Sequence, residues 1–138
     1  MDVFTRSRRS EIMARIHSKN SKPEVELRRL LHAAGYRYRL HVKELPGKPD
    51  IVLPRFRTVI QVHGCFWHSH SCTRGKAPSS RQAFWLPKLA ANKQRDLSNR
   101  RDLRRLGWTV ITVWECQLRD SGMELQINKI KSKLQAIA

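Results

Sequence analysis

Acidic residues are scarce in this chain. Eleven Asp and Glu stand against 28 Lys and Arg, giving a formal charge of +17 over 138 residues. An imbalance of that size is more than solubility needs, and it points to a polyanionic partner, of which nucleic acid is the usual one. The basic residues run the length of the chain and form no detachable tail, so they fit a folded binding surface better than a disordered arm. Charge alone leaves a merely adhesive or ribosomal-type protein open. Long apolar runs are missing as well. Nothing is long enough to span a bilayer and no secretory signal opens the chain, so a cytoplasmic protein with no membrane contact is expected. Cysteine is sparse, with three residues. An odd count without an export signal argues against a disulfide framework. The thiols need another role, and metal is the first candidate. Repeats and low-complexity segments are absent, and the length suits one domain, 1–138, with a core of its own.

Within that domain, 1–20 reads as a basic N-terminal arm or helix, with Ile12, Met13 and Ile16 among Arg8, Arg9 and Arg15. The core, 21–138, opens with a helix. Ser21 can cap it, Pro23 suits its first turn, Leu27, Leu30, Leu31 and Ala34 make its buried stripe, and Gly35 ends it. From Tyr36 to Val42, alternation puts Tyr36, Tyr38, Leu40 and Val42 on one face of a strand. After the Pro46-Gly47 turn come a short strand, Asp50 to Leu53, and a third, Arg57 to His63. A loop from Gly64 to Arg81 leads to a long helix, Phe84 to Leu106, stopped by Gly107. A fourth strand, Trp108 to Trp114, precedes a closing helix marked by Met123, Ile127, Ile130, Leu134 and Ile137. The order ααβββαβα predicts an α/β fold, a mixed sheet flanked by helices.

Cys65, His70 and Cys72 fall within one loop, and Cys116 follows the fourth strand. Two thiolates and an imidazole, closed by a distant thiolate, can form a tetrahedral Cys3His zinc site. With four protein ligands it would be closed, hence structural, clamping a loop that has no apolar core. The spacing is not a paired CxxC pattern, and three buried thiols beside an unrelated histidine is the alternative. His68 is the rival nitrogen ligand; His70 is preferred because His68 has a use elsewhere.

That use lies in a second constellation. Asp50 leads one strand of a hairpin, and Gln61 and His63 stand where a restriction-type nuclease usually carries an acid and a lysine. A hard cation beside a scissile phosphate needs only one carboxylate, a carbonyl and phosphate oxygens. Asp50 is the candidate carboxylate, and the backbone carbonyl of Val62 a candidate second magnesium ligand. His63 and His68 could handle protons near neutral pH, and Glu24 could orient one of them. Each has a plainer reading: Ser21-x-x-Glu24 is a capping box, Asp50 a turn acid after Pro-Gly-Lys-Pro, either histidine structural.

Pro46-Gly47-Lys48-Pro49-Asp50 together with His63-Gly64-Cys65-Phe66-Trp67-His68 resembles the very short patch repair (Vsr-type) DNA mismatch endonucleases. The likeness continues through Phe84-Trp85-Leu86, Asn92 to Asp96, and Gly107-Trp108 to Trp114-Glu115-Cys116. It implies a restriction-endonuclease-like fold with structural zinc. It also implies magnesium-dependent nicking of duplex DNA 5′ to the thymine of a T·G mismatch left by 5-methylcytosine deamination. Such an enzyme would start DNA repair in the bacterial cytosol beside a cytosine-5 methyltransferase system and downstream repair proteins. By position it makes Asp50 the metal carboxylate, His63 and His68 catalytic, Glu24 a supporting acid, and Asn92 and Asp96 helper residues sharing one helical face. Cys65, His70, Cys72 and Cys116 become the zinc ligands. Ser69 and Ser71 depart from the longer histidine run that members can show.

Phe66, Trp67 and Trp85 are candidate DNA-binding wedges, since apolar side chains between base steps unstack and kink a duplex. A mismatched step opens at lower cost. Met13 could wedge from the other groove, while arginines near Arg74 to Arg81 would hold phosphates. The competing readings are a restriction-type nuclease that cuts both strands and a non-catalytic zinc-containing DNA-binding module. One nick needs one active site, so a monomer is expected.

Overall fold

The structure, a computed structural model, describes residues 21–65, 79–119 and 122–137. The expected N-terminal arm with Met13 lies outside the described residues. So does the segment that carries Phe66, Trp67, His68, His70 and Cys72. The architecture is the expected one, a mixed α/β arrangement around a four-stranded sheet. Helix α1 (Lys22–Ala33) precedes β1 (Arg39–Leu40), β2 (Ile51–Leu53), a 3-10 turn (Pro54–Phe56) and β3 (Thr58–His63). Then come α2 (Gln82–Arg105), β4 (Thr109–Trp114), α3 (Glu115–Leu118) and α4 (Gly122–Ile137). The strands lie in chain order. β1, β2 and β3 are antiparallel neighbours, and β3 pairs with β4 in parallel, in register from Thr58↔Thr109 to His63↔Trp114. A parallel pair cannot be joined by a tight turn, so a long connection containing α2 separates β3 from β4.

Strand alternation sends side chains to two cores. Ile51, Leu53, Ile60, Ile111 and Val113 meet Leu27 and Leu31 of α1, Leu118 of α3, and Ile127, Ile130 and Leu134 of α4. On the other side Val52 and Val59 meet Val42 and Leu103 of α2. β3 is central, and five of its six residues are buried. Each fully buried Leu or Ile contributes about 1.5–3 kcal/mol, so this strand is fixed from both faces.

Ser21 caps α1 as expected, its Oγ accepting from the Glu24 N–H at 3.4 Å, and Gly35 (φ +98°) ends the helix. Ala34 is exposed at the C-cap and not part of the stripe. The strand expected over Tyr36 to Val42 is reduced to two residues, and its alternation does not hold. Tyr36 and Tyr38 pack against one core, Leu40 is 40 % exposed, and Val42 is buried in the other core. The cause is His41, whose left-handed backbone (φ +48°) turns the chain between Leu40 and Val42. β3 starts at Thr58 rather than Arg57, because Arg57 (φ +45°) closes the 3-10 turn. Ile137 is 44 % exposed, so the stripe of α4 ends at Leu134.

The turn before Asp50 is pinned to α2. Gly47 has φ +76°, and a Cβ there would stand 2.6 Å from Nδ2 of Asn99. Gly47→Ala is expected to destabilise the fold by about 1–3 kcal/mol, from strain at positive φ plus the clash. Adding Asn99→Ala should return only the steric share. Urea unfolding of both variants checks this; wild-type stability in Gly47→Ala would mean the turn is not held against α2.

Candidate active site

The site is built where the antiparallel strands begin and end. β1 and β2 pair Leu40 with Ile51, and one position further the His41 N–H donates to the Asp50 carbonyl at 3.1 Å. β2 and β3 pair Ile51 with Ile60, so Gln61 comes next across from Asp50. The Val62 N–H donates to Asp50 Oδ2 at 2.7 Å, a short charge-assisted bond that fixes one carboxylate oxygen.

Glu24 comes to the same corner from α1. It is 2 % exposed. Its Oε2 accepts from Arg28 Nη1 at 2.9 Å, one helical turn on, and lies 3.4 Å from His41 Nε2. His41 Nδ1 lies 3.7 Å from Asp50 Oδ1. Glu24 is therefore more than half of a capping box, and its carboxylate stands beside Asp50. Neither His41 nor Arg28 is legible as a site residue from the sequence. His41 becomes one only through its register opposite Asp50, and nothing in the local pattern states that register.

Burial and Glu24 decide the chemistry of Asp50. Removal from water is the largest influence raising its pKa, followed by repulsion from Glu24; the Val62 N–H and Arg28 pull the other way. The balance lifts the carboxyl from 3.8 to about 7. A desolvated carboxyl beside a second carboxylate is a corner short of positive charge, and a divalent cation is what such oxygens accept best. Among the described residues no three His, Cys, Asp or Glu side chains are arranged to hold a metal unaided. Magnesium typically uses one or two carboxylates and completes its shell with water and phosphate, so the pair fits it.

His63 ends β3 and is buried, its ring edge-on to Trp114 at 5.2 Å between centroids. Strand alternation puts its side chain on the same face as Gln61, the residue across from Asp50. The structure thus brings Glu24 and Asp50 together, with the backbone of Val62, and sets His63 next along the strand on the side of Trp114. Gln61 is buried, and its Oε1 has no hydrogen-bond partner among the described residues. On α2, Asn92 is buried and accepts from Arg95, and Asp96 is half-buried one turn on. Their spacing of four puts both on one face of the helix. Trp85 is half-buried at the start of α2, edge-on to Phe84 at 4.9 Å. Phe84 is 48 % exposed, with Arg81 and Lys88 stacked over its ring at 5.0 and 5.3 Å.

Of the expected zinc ligands, Cys65 is buried just past β3, and Cys116 is half-buried at the start of α3. Each follows by two residues a member of the paired set His63↔Trp114, so both leave the sheet from the same end of adjacent strands. That suits a shared ion; the two remaining ligands are outside the described residues.

A family model described as DNA mismatch endonuclease Vsr matches residues 1–74. The type II nicking enzyme V.NmeAIP of Neisseria meningitidis serogroup A is 48 % identical over 122 residues, 88 % of this chain and 87 % of its own length. The type II nicking enzyme V.XorIIP of Xanthomonas oryzae is 48 % identical over 130 residues, 94 % of this chain and 96 % of its own. The DNA mismatch endonuclease Vsr of Escherichia coli is 42 % identical over 118 residues, 86 % of this chain and 76 % of its own.

The raised carboxyl sets a pH dependence. Asp50 binds its proton more tightly in the folded chain, so the stability it allows is fully present below about pH 4 and is lost as pH rises to about 7. Asp50→Asn keeps an acceptor for the Val62 N–H and removes the charge. In metal-free protein at about pH 8 it is expected to gain about 1–3 kcal/mol and to flatten that loss. Urea unfolding across the range checks it, and equal slopes for both proteins would mean Asp50 ionises normally.

Proposed function

The chain belongs to the Vsr family of DNA mismatch endonucleases and is a DNA endonuclease. From that premise we propose that it nicks one strand of duplex DNA, 5′ to the thymine of a T·G mismatch, and so initiates very short patch repair. The observation that carries this reading is the pairing of half-buried Asp50 with buried Glu24 at the end of the β2–β3 hairpin. Such a pair suits a divalent cation held against a phosphate. Asp50 and the Val62 carbonyl would hold magnesium there, which supplies positive charge to the scissile phosphate and a more acidic water. Asp50 Oδ2, tied to the Val62 N–H, is oriented before DNA arrives. Glu24, braced by Arg28, supports the corner from α1. His63 and His68 move protons, and Asn92 and Asp96 are helpers from α2.

Zinc at Cys65, His70, Cys72 and Cys116 would pin the loop after β3 to the start of α3. That loop carries Phe66 and Trp67, which with Trp85 would wedge into the base stack; Met13 would enter from the other groove. The half-buried Trp85 beside exposed Phe84 supports an apolar edge at this end, and Arg81 and Lys88 supply cations beside it. Wedging favours a mismatch because a weakened step unstacks at lower cost. The chain would work as one domain and as a monomer, in the bacterial cytosol, alongside a cytosine-5 methyltransferase and later repair proteins. No helix among the described residues is long and apolar enough to cross a membrane.

Two labelled duplexes differing in one T·G pair, in several contexts around 5-methylcytosine sites, test the reaction. Cutting confined to the thymine strand, dependent on magnesium, stopped by EDTA and lost by at least about a hundredfold in Asp50→Ala is the expected result. Cutting of both strands of the matched duplex would make the chain a restriction-type nuclease, and tight binding without cutting a DNA-binding module. Metal analysis of protein purified without chelator should return about one zinc per chain; its absence would remove the Cys3His proposal.

A further inference from the structure

We infer that His41 is a positioning residue for the metal corner, setting the orientation of the Asp50 and Glu24 carboxylates. The inference rests on the reading of that corner as the cation site. Three observations carry it. His41 is bonded to the main chain of Asp50, its N–H donating to the Asp50 carbonyl at 3.1 Å. Its ring stands between two carboxylates from different elements, Nε2 at 3.4 Å from Glu24 Oε2 and Nδ1 at 3.7 Å from Asp50 Oδ1. Its backbone is left-handed (φ +48°), where Gly or Asn is the ordinary choice. A histidine held in that conformation, with only 15 % of its side chain exposed, has a reason to be there beyond turning the chain.

The two carboxylates also meet each other, Glu24 being a side-chain hydrogen-bond partner of Asp50, so the orientation of the pair has to be held. Asp50 Oδ2 is fixed by Val62, but Oδ1 is not fixed by that bond, and rotation of the carboxyl would move it relative to Glu24. Arg28 restrains Glu24 from its own helix. The ring of His41 meets both. It therefore acts on metal through the carboxylates, as the hydrogen-bonded partners behind metal ligands do in general. No contact of His41 with DNA is required.

The left-handed backbone supplies a clean test. His41→Asn suits that conformation, so the fold is not penalised, yet its short amide cannot reach both carboxylates. Mn²⁺ binding by the full chain on matched duplex DNA would be read from loss of the free-ion paramagnetic resonance signal. Nicking would be titrated separately with magnesium. For His41→Asn the half-saturating concentration of each metal is expected to rise about tenfold or more. The maximal rate should stay within about twofold, and the thermal midpoint should be unchanged or higher. His41→Gln, with a longer amide donor, should recover part of the shift. Wild-type metal binding in both variants overturns the inference, as does a lowered thermal midpoint with metal binding unmoved. Asp50→Ala separates the two levels. If that variant still nicks with magnesium, the cation site is misplaced. If it is inert and His41→Asn binds metal as the wild type does, only the role of His41 fails.

Discussion

Two carboxylates in one buried corner repel each other, and much of this molecule is arranged around containing that repulsion. Asp50 and Glu24 arrive from different elements, a strand end and a helix start, and neither could sit there alone in its ionised form without partners. The Val62 N–H and the Arg28 guanidinium each take up part of the negative charge, and the ring of His41 stands against both acids. Removal from water first, and then what remains of the repulsion, show in the raised pKa of Asp50. A fold that keeps such a corner gives up stability there, and functional sites are where proteins keep groups in unfavourable surroundings.

Around the corner, packing supplies the rigidity that electrostatics does not. β3 lies between β2 and β4 and is sealed by helices on both faces, so the backbone that carries the Val62 donor has little freedom. The turn from Pro46 to Pro49 is held against α2 by the close approach of Gly47 to Asn99. The position of Asp50 is thus set from three sides: the β1 partner, the β3 donor and the helix behind the turn. An orienting bond as short as 2.7 Å is useful only on a frame of this kind.

Much of the frame was legible in the sequence, because amphipathic spacing and turn residues act locally. Ser21 and Gly35 bound α1, Gly107 follows α2, and the stripe Ile127, Ile130 and Leu134 is buried as its spacing predicts. The failures share a cause. Tyr36 to Val42 alternates like one strand face, yet a single left-handed residue divides it between two cores. Whether a histidine adopts φ +48° depends on its neighbours across the sheet, and periodicity carries no such information. The short helix α3 was likewise unannounced, being four residues with one buried leucine. In the site, Asp50 and Glu24 could be named from their types and their motif context. His41 and Arg28 acquire meaning only from register and helical phase once the acids are placed.

The parallel pairing of β3 with β4 bears on how the chain folds. The carboxylate corner is assembled from residues within the first half of the chain, β1, β2 and β3 being successive. The other side of β3 waits for a partner about fifty residues later, from Thr58↔Thr109 to His63↔Trp114. Closing so long a loop costs entropy before any contact repays it, and contacts of that kind slow folding. The molecule therefore joins an early, local half to a late, long-range one, and the seam runs along the strand that holds Val62 and His63. A chain interrupted before Trp108 would contain every carboxylate of the site and none of the six pairings that hold β3 against β4.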